Sequence, residues 1–197
     1  MARMRMTETE IKEALRSTNA IRTGHFKLTS GRHSDTYIQC ARVLENPTLT
    51  MQLAEEAVAN LPKDLQVDIV ASPALGGILF GFAVAAALDA TFIFSERVEG
   101  SMVFRRSFEV PEGARILVAE DVVTTGGSVK EVCDLIKTED GEVVGVVSII
   151  DRGGTPAFEA PYFPLLRLES PSWAPEDCDL CKKGIALAAP GSRSLSK

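Results

Sequence analysis

A chain of 197 residues, 45% hydrophobic and 24% charged, is long enough to bury one substantial core and falls in the size range of a single α/β domain. With 21 Lys and Arg against 27 Asp and Glu, and a net charge of -6, it has no basic footprint for nucleic acid. No apolar run reaches the ~20 residues needed to cross a bilayer and the start lacks a signal-peptide core, so a cytoplasmic protein without a membrane partner is expected.

Thr7 to Glu10 fits a capping box, and Ile11, Ala14, Leu15 and Thr18 follow at helical spacing, predicting a short amphipathic first helix. His25 to Thr29 alternates, Ser30 to Arg32 breaks the pattern, and Thr36 to Cys40 resumes it, as two short strands around a tight turn would. Residues 1–45 thus read as a small hood. Asn46 and Pro47 then supply an N-cap and a first-turn proline for a helix that Pro62 ends. Strands are predicted at Val67 to Ala71, Thr91 to Phe94, Arg115 to Ala119 and Val143 to Ile150, with helices at Ile78 to Leu88 and Gly127 to Lys137. Apolar strands alternating with helices imply an α/β fold, a central mostly parallel sheet flanked by helices, in a core of about 46–170. Ligands of such a sheet bind outside the carboxyl ends of the strands, so the loops after Ala71, Phe94, Ala119 and Ile150 are expected to meet at one site.

The loop after Ala119 carries the strongest chemical signal. Glu120 and Asp121 precede Val122 and Val123, then Thr124, Thr125, Gly126, Gly127 and Ser128, after which a helix opens. Free N–H groups at a helix start, glycines that admit an anion and small hydroxyls together make a phosphate cradle. The two carboxylates repel phosphate and call for a different partner: sugar hydroxyls, a Mg²⁺-bound water or a developing cation. A phosphorylated sugar satisfies both halves, although glycine-rich turns without a phosphate role are common in α/β proteins. The loop is neither a Walker A motif nor a dinucleotide fingerprint.

This order of residues closely resembles the signature for 5-phosphoribosyl 1-diphosphate (PRPP) in type I phosphoribosyltransferases, and Gly24 to Tyr37 resembles the hood segment of the orotate phosphoribosyltransferases. The resemblance covers about residues 10–155. It implies a type I phosphoribosyltransferase-like fold, transfer of phosphoribosyl from PRPP to orotate with Mg²⁺ as cofactor, and a homodimer. It also implies that Thr124 to Ser128 hold the 5'-phosphate, with Val122 and Val123 beneath, that Glu120 and Asp121 hold the ribose hydroxyls and the charge developing there, and that Gly76 and Gly77 face the diphosphate. Orotate is implied to meet Thr124, Tyr37 and Arg152, whose guanidinium suits a planar carboxylate. From the residues alone, Gly76 and Gly77 also fit plain turn chemistry, and Arg152 also fits a pair with a neighbouring acid. Where the family often carries Lys, this chain has Gly76 and Thr29, and its catalytic-loop cations are Arg97, Arg105 and Arg106. Arg97 is expected on the diphosphate. The alternatives are a transferase for a purine or uracil and a PRPP-sensing regulator without turnover.

Of the four cysteines, only Cys178 and Cys181 form a pattern, the spacing of one zinc knuckle in an exposed loop. A knuckle is half a tetrahedral site. Completing it requires Cys40, Cys133, a histidine or a second subunit, while His25 and His33 have a place in the hood, so a plain or disulfide-capable thiol pair is expected. Ala188 to Lys197 reads as a mobile tail.

Overall fold

Apolar residues alternating along each core strand divide the interior into two halves, one on either face of a sheet. In the computed structural model, which describes residues 5–154 and 156–190, that sheet has six strands. Its strands are β3 (Ile69–Pro73), β4 (Thr91–Val98), β5 (Ser101–Phe104), β6 (Arg115–Val123), β7 (Glu142–Asp151) and β8 (Tyr162–Arg167). The order across the sheet is β5-β4-β3-β6-β7-β8, parallel throughout except for the β4–β5 hairpin. Val70, Leu117, Ala119, Val147 and Ile149 pack on one face, and Ile69, Ala71, Ile116, Val118 and Val146 on the other.

Helices α1 (Glu8–Ser17), α3 (Pro47–Ala59) and α4 (Gly77–Leu88) contribute to the first half of the core, and α5 (Gly127–Thr138) to the second. A single turn, α2 (Ala41–Leu44), leads into α3. Thr7 and Glu10 form both arms of the predicted capping box, and Asn46 caps α3 ahead of Pro47. Each supplies acceptors that the first helical turn otherwise lacks. Phe80 of α4 is fully buried, a contribution of ~1.5–3 kcal/mol.

A second sheet joins β1 (Ile21–Lys27), β2 (His33–Ile38) and the two-residue β9 (Ser172–Trp173) in the order β1-β2-β9. A 3-10 turn (Pro175–Asp177) and the single-turn helix α6 (Asp179–Lys182) follow, and the chain then runs back along β1. There Ala188 N–H donates to the His25 carbonyl and Lys27 N–H to the Ala188 carbonyl, both at 2.8 Å. The expected tail therefore begins with an ordered contact, and its last seven positions, 191–197, lie outside the described residues.

Three further points correct the sequence expectations. Strand β6 runs on through Val123, because Glu120 and Val122 continue the register with Ser148 and Ile150 of β7, so the acids sit on a strand and not in the loop. Residues 95–104 are largely a hairpin, turned by Glu99 and Gly100 at φ 50° and 92°. Cys178 is fully buried, not part of an exposed loop.

Candidate active site

The sheet reverses its winding between β3 and β6: from β3 the chain moves outward to β4, then returns to add β6 on the other side. A crevice opens at such a switch point beyond the carboxyl ends of the strands. Two segments meet there, the turn Ala74 to Gly77 after β3 and the acids of β6. A Cβ built on Gly76 falls 2.8 Å from Asp121 Oδ1, and one on Gly77 falls 3.0 Å from both Glu120 Oε1 and the Ala119 carbonyl. These glycines are therefore more than turn formers; they let α4 begin directly against both carboxyl groups.

Burial dominates the electrostatics of the pair. Glu120 is 9% exposed, and among the described residues no Lys or Arg forms an ion pair with it or with Asp121. Loss of water pushes the Glu120 carboxyl well above the usual carboxylate range, and the charge of Asp121 pushes in the same direction. Burial raises Asp121 as well, against hydrogen bonds that favour its ionised form. Val122 N–H donates to Asp121 Oδ1 at 2.8 Å and Asp121 N–H to Glu120 Oε1 at 3.1 Å. A buried and a half-buried acid without a counter-ion among the described residues are arranged for hydroxyl groups, a cation or a centre that becomes cationic.

Beyond them β6 enters α5 through Gly126, at φ 79°, where a Cβ would also meet Pro156 and Phe158 within 2.9 Å. No side chain caps α5. Its first N–H groups therefore lie open at a cavity of about 260 Å³ lined by Glu120, Val122, Val123, Thr124, Thr125, Gly126, Gly127 and Ser128, with Val129 and Glu131 at its side. Arg97 of the β4–β5 hairpin reaches this wall and pairs with Glu131 at 2.8 Å. Arg106 instead holds Glu96 with two hydrogen bonds, of 3.0 and 2.9 Å.

A second cavity, of about 580 Å³, lies between the hood and the sheet. Tyr37, Thr124 and Arg152 line it together, with Lys27, Leu28, Thr29, Ser30, Ile38, Thr125, Gly154 and Ser172. Thr124 and Thr125 belong to both cavities. Arg152 follows β7, its N–H donating to the Val123 carbonyl at 2.9 Å, and its Nε is buried without a hydrogen-bond partner among the described residues. The acid that ends β7, Asp151, faces Arg167 at 3.6 Å, so the neighbouring-acid reading of Arg152 fails among the described residues. Desolvation lowers the Arg152 pKa, since burial penalises the charged guanidinium. Sequence reasoning overlooked Lys27 and Ser172 in this wall: Lys27 was readable as the outward partner of Phe26, whereas Ser172 arrives only through β9.

A third cavity, of about 730 Å³, is lined by Lys130, Asp134, Gly141, Glu142 and Phe158 among others. It opens at the amino-terminal end of β7, the edge opposite the crevice, and holds none of the predicted residues. Cys178 and Cys181 also lie apart from the crevice, beside His25 and His33.

Residues 41–175, which build the mostly parallel sheet, its acids and the start of α5, match the family model for the phosphoribosyl transferase domain. The chain is 50% identical over 186 residues to the orotate phosphoribosyltransferase of Thermotoga maritima, covering 94% of this chain and 99% of that one. It is 44% identical over 191 residues to that of Heliobacterium modesticaldum, covering 96% and 100%. In fold it is similar to the crystal structure of orotate phosphoribosyltransferase from Aeropyrum pernix, with a TM-score of 0.69 at 23% identity over 81% of this chain and 94% of that one. The chain belongs to the phosphoribosyltransferases and, within them, to the orotate phosphoribosyltransferase family.

Proposed function

We propose that this chain transfers the phosphoribosyl group of PRPP to orotate, releasing diphosphate and giving orotidine 5'-monophosphate, a step of pyrimidine biosynthesis. One observation carries the choice of base: the Nε of Arg152, buried and without a hydrogen-bond partner among the described residues, in the cavity that shares Thr124 and Thr125 with the phosphate cradle. A carboxylate-bearing planar ring supplies the charge this guanidinium lacks, and Lys27 adds a second cation to the same wall. Family membership at near full length supports the same reading.

In this proposal the N–H groups and hydroxyls of Thr124 to Ser128 hold the 5'-phosphate, and Glu120 and Asp121 hold the ribose hydroxyls. As diphosphate leaves, positive charge grows on the ribose ring beside the two acids, which then become stabilising because the opposite charge has appeared. Arg152, Thr124 and Tyr37 orient the ring so that its N1 attacks C1' as the C1'–O bond to diphosphate breaks, the N1 proton leaving with the released diphosphate. Arg97 exchanges Glu131 for the diphosphate, and the turn Ala74 to Gly77 gives it room. The acids, lacking a counter-ion among the described residues, suit a ligand that brings cationic charge; Mg²⁺ arriving with PRPP would neutralise the leaving diphosphate.

A homodimer accompanies this reading. Helix α4 is apolar nearly all round, and Leu79 and Phe82 are 55% and 61% exposed beside Leu75 at 84%. A second copy of the chain covering that face removes the apolar surface from water. No described helix is long and apolar enough to cross a membrane.

The test is incubation with Mg²⁺, PRPP and orotate, following orotate absorbance together with diphosphate. Turnover with orotate is expected. Turnover only with uracil or a purine overturns the base assignment, and saturable PRPP binding without diphosphate release overturns catalysis.

A further inference from the structure

The chain has two histidines, His25 and His33, and both are buried against Cys178 and Cys181. Five elements converge to bring them together. His25 lies on β1 and His33 on β2. Trp173 of β9 pairs with His33, and the 3-10 turn then delivers Cys178 to the start of α6. The Lys182 N–H donates to the Cys178 carbonyl at the start of α6 and the Gly184 N–H, just past its end, to that of Cys181, and the i, i+3 spacing puts the two residues about one turn apart.

The spacings are those of ligands around one metal ion. His25 Nε2 is 3.2 Å from His33 Nδ1, 3.4 Å from Cys178 Sγ and 3.6 Å from Cys181 Sγ, and Cys181 Sγ is 3.3 Å from His33 Nδ1. All four ligand atoms lie within 4.8 Å of one another. Bonds of 2.0–2.1 Å to nitrogen and 2.3 Å to sulfur in a tetrahedron put ligand atoms about 3.3–3.8 Å apart.

Hydrogen bonding alone does not explain the cluster. His25 Nδ1 lies 2.7 Å from the Ile185 carbonyl, which can only accept, so Nδ1 carries the proton and Nε2 presents one bare lone pair. Three neighbours crowd that lone pair, whereas one central cation serves all four atoms at once. The carbonyl on the far nitrogen is also the outer partner that a metal-bound imidazole ordinarily has.

We propose that His25, His33, Cys178 and Cys181 bind one Zn²⁺. Two imidazoles and two thiolates fill a tetrahedron and leave no position for a substrate, so the ion is structural. It ties the carboxyl-terminal segment to the hood strands whose other residues, Lys27 and Tyr37, line the cavity at Arg152.

The test uses the full-length protein stripped of metal by a chelator and then given Zn²⁺ or Co²⁺ alone. Equimolar zinc uptake is expected, with suppressed alkylation of Cys178 and Cys181 and recovery of a Tm lowered by stripping. The Co²⁺ form is expected to show the visible bands of a tetrahedral site and a thiolate charge-transfer band, with uptake lost in Cys178→Ser/Cys181→Ser. Should that variant fail to fold, alkylation of the unaltered protein decides. Thiols that react equally with and without Zn²⁺, zinc well below one per chain, or a Cys178–Cys181 disulfide in its place overturns the site. None of these readouts depends on turnover or on the identity of the base.

Discussion

Glu120 sets a cost in the free protein that the proposed reaction reverses. A carboxyl whose folded pKa lies above its unfolded value holds its proton in the native state at a pH where the unfolded chain has released it. Stability from this group is therefore greatest below the ordinary carboxylate range and is lost as pH rises toward the raised value. Glu120→Gln removes that loss. Urea unfolding of the ligand-free proteins is expected to show the variant gaining on the parent as pH rises from about 4, while kcat falls by ~10²–10³ through loss of the charge beside the ribose. Arg152 works in the opposite sense, being short of an anion where Glu120 is short of a cation. Arg152→Ala is expected to raise the KM for orotate by ~10–100-fold, the range of a hydrogen bond to a charged group, and to leave the KM for PRPP nearly unchanged. An equal rise in both constants counts against the assignment of Arg152 to the base.

At the level of elements, the join between β6 and α5 bears the most constraint. Gly126→Ala places a side chain at φ 79° and within 2.9 Å of Pro156 and Phe158. A stability loss of ~1–3 kcal/mol by urea unfolding and a raised KM for PRPP are expected. The sequence made this loop legible because glycines, hydroxyls and acids are local signals, as were the caps of α1 and α3. What escaped it depends on partners distant along the chain. Glu120 to Val123 reads as a polar exit from a strand, yet pairing with Ser148 and Ile150 keeps the four residues extended and buries an acid among them. Strand β8 contains Pro164, which argues against a strand except at an edge, the place it occupies. The spacing of Cys178 and Cys181 was readable, but its completion by residues some 150 positions earlier was a matter of topology.

For the molecule as a whole, α4 is the element that a single chain leaves unfinished. Its outer residues Leu79 and Phe82 continue the exposed apolar surface begun by Leu75, close to the glycines that abut the acids. Phe82→Asp is expected to shift sedimentation from dimer to monomer, since covering a phenylalanine contributes ~1.5–3 kcal/mol, roughly a ten- to hundred-fold change in dissociation constant. Unchanged sedimentation would place the interface elsewhere. The small sheet has a different kind of incompleteness, one of timing. Its first two strands are made before any strand of the large sheet, but the third comes from Ser172 and Trp173, and the flanking contacts at His25 and Lys27 come from Ile185 and Ala188. The six-stranded sheet can close as soon as β8 emerges, whereas the hood must wait for residues 172–188, which follow β8. The wall that Lys27 and Tyr37 contribute to the base cavity is thus finished only after the segment that follows β8 has been made, so a nascent protein acquires its phosphate cradle before its complete base cavity.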